Sequence, residues 1–297
     1  MMKTKIWILL LPLLVGCATA TKIATSVGVG AGVINDSHKQ IIDKTAEKAE
    51  KAARPITETE EYYIGRGVAA RILTQYKLYR HPQTIWYVNL VGRTLTLNSS
   101  RPYTYGGYHF AVLDTDEINA FACPGGVIFI TRGMLDLTQS EDELAAVLAH
   151  EIGHVTQKHG LKAISNARWT EVATTLGMET AKQYSGAELG SLVNLFEGTV
   201  DDVFQTLVVR GYGRDDEFEA DAMAIRSLQA SGYDPAELLR LLKTLHSAEG
   251  RKSGGILSTH PNLTDRIEKV KVGMHGLERS PVPPMRTARF QIVARNW

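Results

Sequence analysis

Cysteine is scarce in this 297-residue sequence, and neither sign of charge predominates. The two cysteines, Cys17 and Cys123, cannot form a disulfide framework. Lys and Arg number 33 against 32 Asp and Glu, and no basic run is interleaved with aromatic residues, so binding to nucleic acid is disfavoured. After Thr57 no apolar run is long enough to cross a bilayer. With 44% hydrophobic positions, the chain is predicted to form a globular fold without covalent staples.

The first 16 residues have the pattern of a lipoprotein signal peptide. Lys3 and Lys5 precede the apolar run 6–15, which suits a secretory signal better than a membrane span. The run ends in Gly16-Cys17, which resembles the bacterial lipobox, so we expect Cys17 to become the lipidated first residue. Ala18 follows where an Asp would retain the protein at the inner membrane. These features predict an anchor in the outer membrane facing the periplasm; an ordinary signal peptide with an incidental cysteine is the alternative.

Composition predicts a tether, one domain and a short tail after the signal peptide. Residues 17–56 are rich in Thr, Ala and Gly and then in Ala, Lys and Glu, as expected of a spacer with a helical portion. Residues 57–275 form the predicted globular domain, and residues 276–297 a C-terminal extension. Segment 161–213 has glycines between apolar runs and is either a mobile helical lid or loosely packed helices.

Apolar periodicity predicts two core-facing helices and two strands at the start of the domain. The helical positions are Ile64, Val68, Ile72, Leu73 and Tyr76, and then, after Pro82, Trp86, Leu90, Val91 and Leu95. Residues 108–113 and 127–131 are short β-rich runs, separated by Pro124-Gly125-Gly126. The expected fold class is therefore α+β and mainly α, with a small sheet.

The helix that carries the candidate chemistry is predicted to begin after Ser140 and to end at Gly160. Glu143 stands three residues after Ser140, as in a capping box. His150 and His154 are four residues apart, so on a helix their directions differ by only about 40° and both can bind one ion. Imidazole nitrogens suit Zn²⁺.

Glu151 is the candidate general base beside this pair. It is rotated about 100° from His150, so it misses the metal but can reach a water molecule bound there. Zinc lowers the pKa of its water to about 7, and a neighbouring carboxylate can accept the proton during attack on a carbonyl. The spacing thus predicts hydrolysis, against the alternative of histidines that merely face solvent or core.

A third zinc ligand is predicted on a second helix, which the acidic run 215–221 opens and Gly232 ends. Glu217 and Asp221 are again four residues apart and share one face. Glu217 is the better ligand, and Asp221 the better partner to orient a ligating imidazole. Glu219 points to the opposite side and is expected to be solvated. An acidic start favoured by the helix dipole is the alternative.

These motifs together resemble metallopeptidase family forty-eight, the gluzincins that include the CAAX prenyl endopeptidases, the membrane peptidase HtpX and periplasmic lipoprotein relatives. The resemblance covers residues 57–271 and rests on segments 119–126, 150–154, 214–221 and 258–261 and on Arg266. It implies a zincin-like fold with the small sheet beside the active-site helix, and one zinc ion per chain. The ligands it implies are His150, His154 and Glu217, and the base is Glu151, in agreement with the spacing.

The resemblance also implies a strand that pairs with an extended peptide substrate. The residues that match this strand are Asn119, Ala120, Phe121 and Ala122. Main-chain pairing tolerates many substrate sequences; a sheet edge without a ligand is the alternative. Cys123 is expected to be a core thiol. HtpX-like relatives carry transmembrane helices that this sequence lacks, which favours a lipid-tethered catalytic domain.

His260 has three open interpretations. It resembles a loop histidine that, in some periplasmic relatives, takes the fourth zinc position and blocks the site. It could instead stabilise the oxyanion in catalysis, as could Tyr212, or be an ordinary loop residue. Arg266 and Arg214 could clamp the acidic cluster or a substrate carboxylate, and both fit surface salt bridges equally well.

A metzincin site is excluded, because that subclass needs a glycine and a third histidine at fixed positions after the helix motif. Gln157 and Gly160 occupy those positions. On a continuous helix His159 would point about 140° away from His154, so it is expected to be structural or at the surface.

The sequence therefore predicts a zinc endopeptidase that cleaves misfolded or unassembled envelope proteins, with polypeptide substrates and a lipid-anchored membrane contact. A chaperone-like or scaffolding lipoprotein with a plugged zinc site is the second hypothesis. A zinc hydrolase of cell-wall or lipid amides is the third, because water activation does not depend on which carbonyl is nearby. The sequence does not indicate the oligomeric state.

Overall fold

The computed structural model describes residues 55–164, 197–248, 255–277, 279–295 and 297, together with Ser26, Asp36, Lys39, Gln40 and Asp43. The predicted signal peptide, Cys17, nearly all of the tether and residues 165–196 of the predicted lid lie outside the described residues. All elements below belong to one unit, Ile56–Ile164 with Glu197–Trp297. No helix in the described ranges is both long and apolar enough to cross a bilayer.

The first two helices match the predicted positions, but not every predicted core face. Helix α1, Glu58–Gln75, begins with a complete capping box between Thr57 and Glu60, and α2 is Pro82–Leu97. In α1, Leu73 is 40% exposed and Tyr76 follows the end of the helix. In α2, Trp86 is 63% exposed and Leu90 37% exposed, so the predicted core-facing orientation of these residues is wrong. Helix α2 has apolar residues on more than one face, and the sheet packs against a face other than the one that carries Trp86 and Leu90. The buried apolar side chains are Tyr87, Val88, Val91 and Leu95.

In the described part of the chain, three short strands form one sheet beside the central helix. They are β1, His109–Leu113, β2, Ala120–Ala122, and β3, Val127–Thr131, in the order β1-β3-β2. β1 runs parallel to β3, and β2 runs antiparallel to it. Between β2 and β3, Gly125 has φ 75° and packs against α1, where an added Cβ would lie 3.0 Å from the Tyr62 Cα. The two predicted strands are confirmed to within one residue.

The central helix is shorter than predicted. After α3, Arg132–Leu137, helix α4 is Glu141–Thr156, and the chain then reverses at Lys158, which has a left-handed backbone (φ 56°, ψ 33°), into the short helix α5, His159–Lys162. The predicted end at Gly160 is therefore wrong, because the helix is interrupted before that residue. At its start, Ser140 accepts from the Glu143 N–H at 3.1 Å, but the Glu143 carboxylate accepts from the Gln139 N–H at 2.6 Å.

The remaining helices enclose α4 on its other faces. Residues 197–204 are helical and continue into the π-helical segment Gln205–Arg210. The others are α6, Arg214–Ala230, α7, Ala236–Ala248, α8, Ile256–Thr259, α9, Leu263–Gly273, and α10, Pro284–Ala294. Helices α2, α6, α7 and α10 and strand β2 all contact α4, which is buried along nearly its whole length. The mainly helical fold with a small sheet is as predicted.

Candidate metal centre

His150 and His154 lie one turn apart on α4 and face the same buried space. Their Nε2 atoms are 3.1 Å apart, and the residues are 4% and 1% exposed. The i,i+4 spacing produces this proximity because α4 is regular from its cap through both residues. The two rings meet edge to face, with centroids 4.7 Å apart, so both Nε2 atoms point to one position.

Helix α6 brings the Glu217 carboxylate to the histidine pair. Its Oε1 lies 3.4 Å from His154 Nε2, and its Oε2 lies 3.5 Å from His150 Nε2. The residue is fully buried. The chain thus brings together three residues that are 67 positions apart at most, on two helices that cross at close range.

His260, just after α8, completes a four-residue cluster. Its Nδ1 lies 3.0 Å from Glu217 Oε1 and 3.3 Å from His150 Nε2. One donor atom from each of the four residues lies within 4.8 Å of every other. Three imidazole nitrogens and one carboxylate oxygen, all buried, are a donor set that fits tetrahedral Zn²⁺.

Asp221 and Arg266 form a second layer behind the cluster. Asp221 Oδ1 lies 2.9 Å from His150 Nδ1. The Arg266 guanidinium donates to both Asp221 oxygens at 2.8 and 2.7 Å and lies 2.6 Å from Glu217 Oε2. Burial alone would raise the pKa of both carboxyl groups, but the Arg266 cation holds the pKa of each below its usual range. Of the interpretations of Arg266, the structure shows the clamp on the acidic cluster.

The two cluster histidines on α4 differ in their electrostatic surroundings. Burial and the Arg266 cation act to lower the pKa of His150, but its hydrogen bonds to Asp221 and Glu217 outweigh them and raise it to about 9. For His154, burial dominates and lowers the pKa well below its ordinary value. His154 is therefore neutral at pH 7, the state that a metal ligand needs, whereas His150 has to release its second proton when it binds a metal.

Glu151 lies next to the cluster but is not one of its four members. It is fully buried, and neither carboxylate oxygen has a hydrogen-bond partner among the described residues. Its Oε1 is 3.7 Å from His260 Nε2. Burial raises its pKa. A cavity of about 20 Å³, enough for one water molecule, is lined by Glu151, His150, His260 and leucines of α7, among others.

Tyr212 and His159 enclose His154 from two further sides. The Tyr212 ring stacks on the imidazole, with centroids 3.8 Å apart and 13° between the planes, and burial raises the pKa of its hydroxyl. The Nδ1 of His159 lies 2.8 Å from the Nδ1 of His154. This contact was not predicted, because the predicted helix continued through Lys158. A break in the helix before His159 is the feature that would have indicated it.

The remaining sequence candidates lie around this centre at greater distance. Glu219 has a 53% exposed side chain, as expected, but its Oε2 lies 3.0 Å from His159 Nε2. Arg214 is exposed, with Asp215 as an ion-pair partner at 3.9 Å. Cys123 is a buried free thiol, as predicted, and burial raises its pKa.

The predicted substrate strand is the edge strand β2, and it is closely covered. Asn119 and residues Ala120, Phe121 and Ala122 are all buried. The Ile256 N–H donates to the Ile118 carbonyl at 2.9 Å, and the Thr259 hydroxyl donates to Asn119 Oδ1 at 3.1 Å. The segment that ends in His260 therefore lies along the start of this edge.

Comparison with known proteins agrees with this geometry. The model of peptidase family M48 matches residues 83–272, more than half of the chain. The chain is 31% identical over 192 residues to the beta-barrel assembly-enhancing protease of Yersinia pestis, which covers 64% of this chain and 39% of that protein. The protein of the same name from Escherichia coli is 28% identical over 82% of this chain and 49% of its own length.

A shorter relative is also similar. Metalloprotease YcaL of Escherichia coli is 26% identical over 163 residues, which are 55% of this chain and 61% of that protein. The chain thus spans about half of the beta-barrel assembly-enhancing proteases it matches. Because the family model matches more than half of the chain, the chain belongs to peptidase family M48, and the buried cluster of His150, His154 and Glu217 lies within the matched residues.

Proposed function

We propose that this protein is a zinc-dependent endopeptidase that hydrolyses peptide bonds of misfolded or unassembled cell-envelope proteins. One observation carries the proposal. His150, His154 and Glu217 converge on a single buried position, and Glu151 lies beside it without a hydrogen-bond partner among the described residues. The names of the relatives, which refer to assembly of β-barrel proteins, support the envelope as the location of the substrates.

In this proposal His150, His154 and Glu217 hold one zinc ion per chain, and Asp221 orients His150. Zinc bound there supplies Lewis acidity, which lowers the pKa of water and polarises the scissile carbonyl. Glu151 takes the proton from the attacking water and delivers it to the leaving amine. Burial raises the pKa of this carboxyl group, which makes it a better proton acceptor than an exposed glutamate. Tyr212 is a candidate oxyanion donor, because its buried hydroxyl has no partner among the described residues.

The substrate lies along β2 in this proposal, with Asn119, Ala120, Phe121 and Ala122 as the binding strand. The position of β2 at the edge of the sheet, next to the cluster, supports it. Since residues 255–260 lie against the start of that edge, a peptide that pairs along its whole length requires this segment to move. The substrate and the segment that ends in His260 therefore compete for one space.

The second candidate function is a chaperone-like or scaffolding lipoprotein whose zinc site is plugged. The observation that favours it is the position of His260, whose Nδ1 takes its place among the donor atoms of the cluster. In this case His260→Ala converts an inactive protein into an active peptidase. In the endopeptidase proposal with His260 as an oxyanion donor, the same change lowers turnover of a protein that is active already.

We further propose that the chain is anchored through a lipidated Cys17 in the outer membrane, facing the periplasm. The predicted domain boundaries are part of this proposal. Residues 1–16 are the signal peptide, 17–56 the tether, 57–275 the peptidase domain and 276–297 a C-terminal extension. Labelled palmitate should be incorporated into the wild-type protein in cells and lost in Cys17→Ser. Labelling that persists in the variant would contradict this anchor.

The substitution Glu151→Gln tests the catalytic proposal. Gln keeps the size of the side chain but cannot accept the proton, so casein cleavage should fall by about 10²–10⁴-fold. Zinc content, measured by atomic emission on the purified protein, should stay at one ion per chain. Glu58→Gln, at an exposed position on α1, is the matched control and should change neither quantity. Full activity in a folded, zinc-loaded Glu151→Gln would refute the role of Glu151.

A further inference from the structure

His159 occupies the buried space directly behind His154. The residue is 1% exposed and is the first residue of α5. Its Nδ1 lies 2.8 Å from His154 Nδ1, on the side of that ring opposite to the cluster. Its other nitrogen, Nε2, faces two carboxylates, at 3.0 Å from Glu219 Oε2 and 3.6 Å from Asp216 Oδ1.

The proton positions follow from what these partners can do. Carboxylates only accept, so Nε2 of His159 carries a proton and donates. In a neutral His159 the Nδ1 is then an acceptor. The donor of the hydrogen bond between the two Nδ1 atoms must therefore be His154. A neutral His154 with its proton on Nδ1 has the lone pair on Nε2, which points to Glu217 and His150.

The local charges agree with a neutral His159. The Lys162 ammonium lies 2.6 Å from Asp216 Oδ1 and 3.5 Å from Glu219 Oε2. The Lys162 cation therefore compensates part of the negative charge of Asp216 and Glu219. A second proton on His159 is not needed for this purpose.

The backbone break at Lys158 makes this contact possible. With φ 56° and ψ 33°, Lys158 ends the course of α4 and starts α5 in a new direction. On an uninterrupted helix His159 would point about 140° away from His154. Because of the break, His159 instead lies next to Nδ1 of the His154 imidazole.

We propose that His159 is a positioning residue of the metal centre, which accepts the Nδ1–H of His154 and thereby directs the lone pair of His154 Nε2 to the zinc ion. Glu219, with Asp216, holds the proton of His159 on Nε2. Asp221 has the equivalent task at His150, so each α4 histidine has its own partner. The proposal rests on the proposed function, because it takes His154 as a zinc ligand.

Zinc affinity of the full-length protein, measured by competition with a chromogenic chelator, tests this role. His159→Leu removes the acceptor, and the zinc dissociation constant should rise by about 10–100-fold. His159→Asn places an amide oxygen near the position of Nδ1 and should recover most of the affinity. A wild-type affinity and an unchanged visible spectrum of the cobalt-substituted protein in His159→Leu would overturn the proposal.

A second measurement uses the wild-type protein and does not depend on how the variants fold. Nitrogen-15 spectra of the histidine rings in the zinc-loaded protein should show a neutral His159 with its proton on Nε2. A proton on Nδ1, or on both nitrogens, would overturn the proposal. A wild-type protein that binds no zinc through His154 would refute the proposed function itself, so the two failures are distinguishable.

Discussion

Gly153 of α4 lies directly against the backbone of Ala220 in α6. A Cβ atom built on Gly153 would be 2.8 Å from the Ala220 carbonyl oxygen and 3.0 Å from its Cα. Two helices can approach this closely only where one of them lacks a side chain. The contact lies one residue before His154 and three residues after Glu217, so it fixes the distance between the two parts of the metal centre.

Gly153→Ala should therefore loosen the metal centre. The new methyl group meets backbone atoms that cannot move alone, so α4 and α6 must separate. Overpacking of this kind costs about 1–3 kcal/mol, and the better helix propensity of Ala returns up to about 1 kcal/mol. We expect a net loss of about 1 kcal/mol in the free energy of unfolding and at least tenfold weaker zinc binding. Urea unfolding and chelator competition measure these two quantities.

Gly273→Ala on α9 is the control for this prediction. There a Cβ atom would meet only the end of the Ile225 side chain, at 3.4 Å. Its zinc affinity should equal that of the wild type. Equal affinities in both variants would show that the close approach at Gly153 does not position Glu217.

Asp221→Ala should weaken zinc binding by about 10–100-fold, because His150 loses the acceptor of its Nδ1–H. Arg266 also loses two of its hydrogen bonds in a fully buried position, so the variant should be less stable as well. Asp221→Asn separates the two effects. Its amide oxygen can still accept from His150, so chelator competition should show an affinity between those of the wild type and Asp221→Ala. Unchanged zinc affinity in Asp221→Ala would count against the orienting role.

The C-terminal helix α10 is tied to the first residue of α4 through Glu141. This buried carboxylate lies against the Arg289 guanidinium and accepts from the hydroxyls of Tyr87 at 2.6 Å and Tyr233 at 3.0 Å. Arg289 thus links residues far from the cluster to the helix that carries its histidines.

Arg289→Ala should lower the free energy of unfolding by about 1.5–3 kcal/mol, the range for hydrogen bonds to a charged group, since Glu141 stays buried with one fewer cation. Zinc affinity should remain within about twofold, because the two tyrosines still hold Glu141 in place. Arg279→Ala removes a largely exposed guanidinium from the buried Asp234, which keeps the Ala236 N–H as a donor, so it should cost only about 0–1 kcal/mol. Equal urea midpoints for the two variants would contradict this ranking.

The sequence was most informative where function depends on spacing within one regular element. His150 and His154 are neighbours on any intact helix, and Glu217 and Asp221 likewise, so helical geometry alone predicted both pairs. The two predicted strands were found because β-rich runs flank a Pro-Gly-Gly turn. For these elements, local interactions determine the structure.

Other features depend on contacts between segments that are far apart in the sequence. The periodicity of apolar residues does not predict such contacts. Trp86 and Leu90 lie on an apolar face of α2 that tertiary packing leaves exposed. Contact between Glu141 and Arg289 joins positions 148 residues apart. A left-handed Lys158 is unusual for a residue with a side chain, and it alone decides where His159 points.

The start of α7 holds a carboxyl group whose titration should be visible in protein stability. Glu237 is 5% exposed, and its cationic partner Arg240, at 2.9 Å, lies on the solvent side. Asp142, Glu143 and Asp234 add negative charge nearby. Burial, only partly offset by Arg240, raises the pKa of Glu237 to about 7.

The pKa of Glu237 is about 7 in the folded state and near 4.5 in the unfolded state. Between pH 4.5 and pH 7 the folded protein therefore binds more protons than the unfolded protein. The stability that this proton uptake contributes is fully present below about pH 4.5 and is lost as the pH rises to about 7. Glu237→Gln cannot ionise, so it should be more stable than the wild type at pH 8, by roughly 1–2 kcal/mol after solvent screening, with a smaller difference at pH 5. Urea unfolding of both proteins at the two pH values measures this. A difference that does not change with pH would mean that Glu237 titrates normally, because all other groups are common to the two proteins.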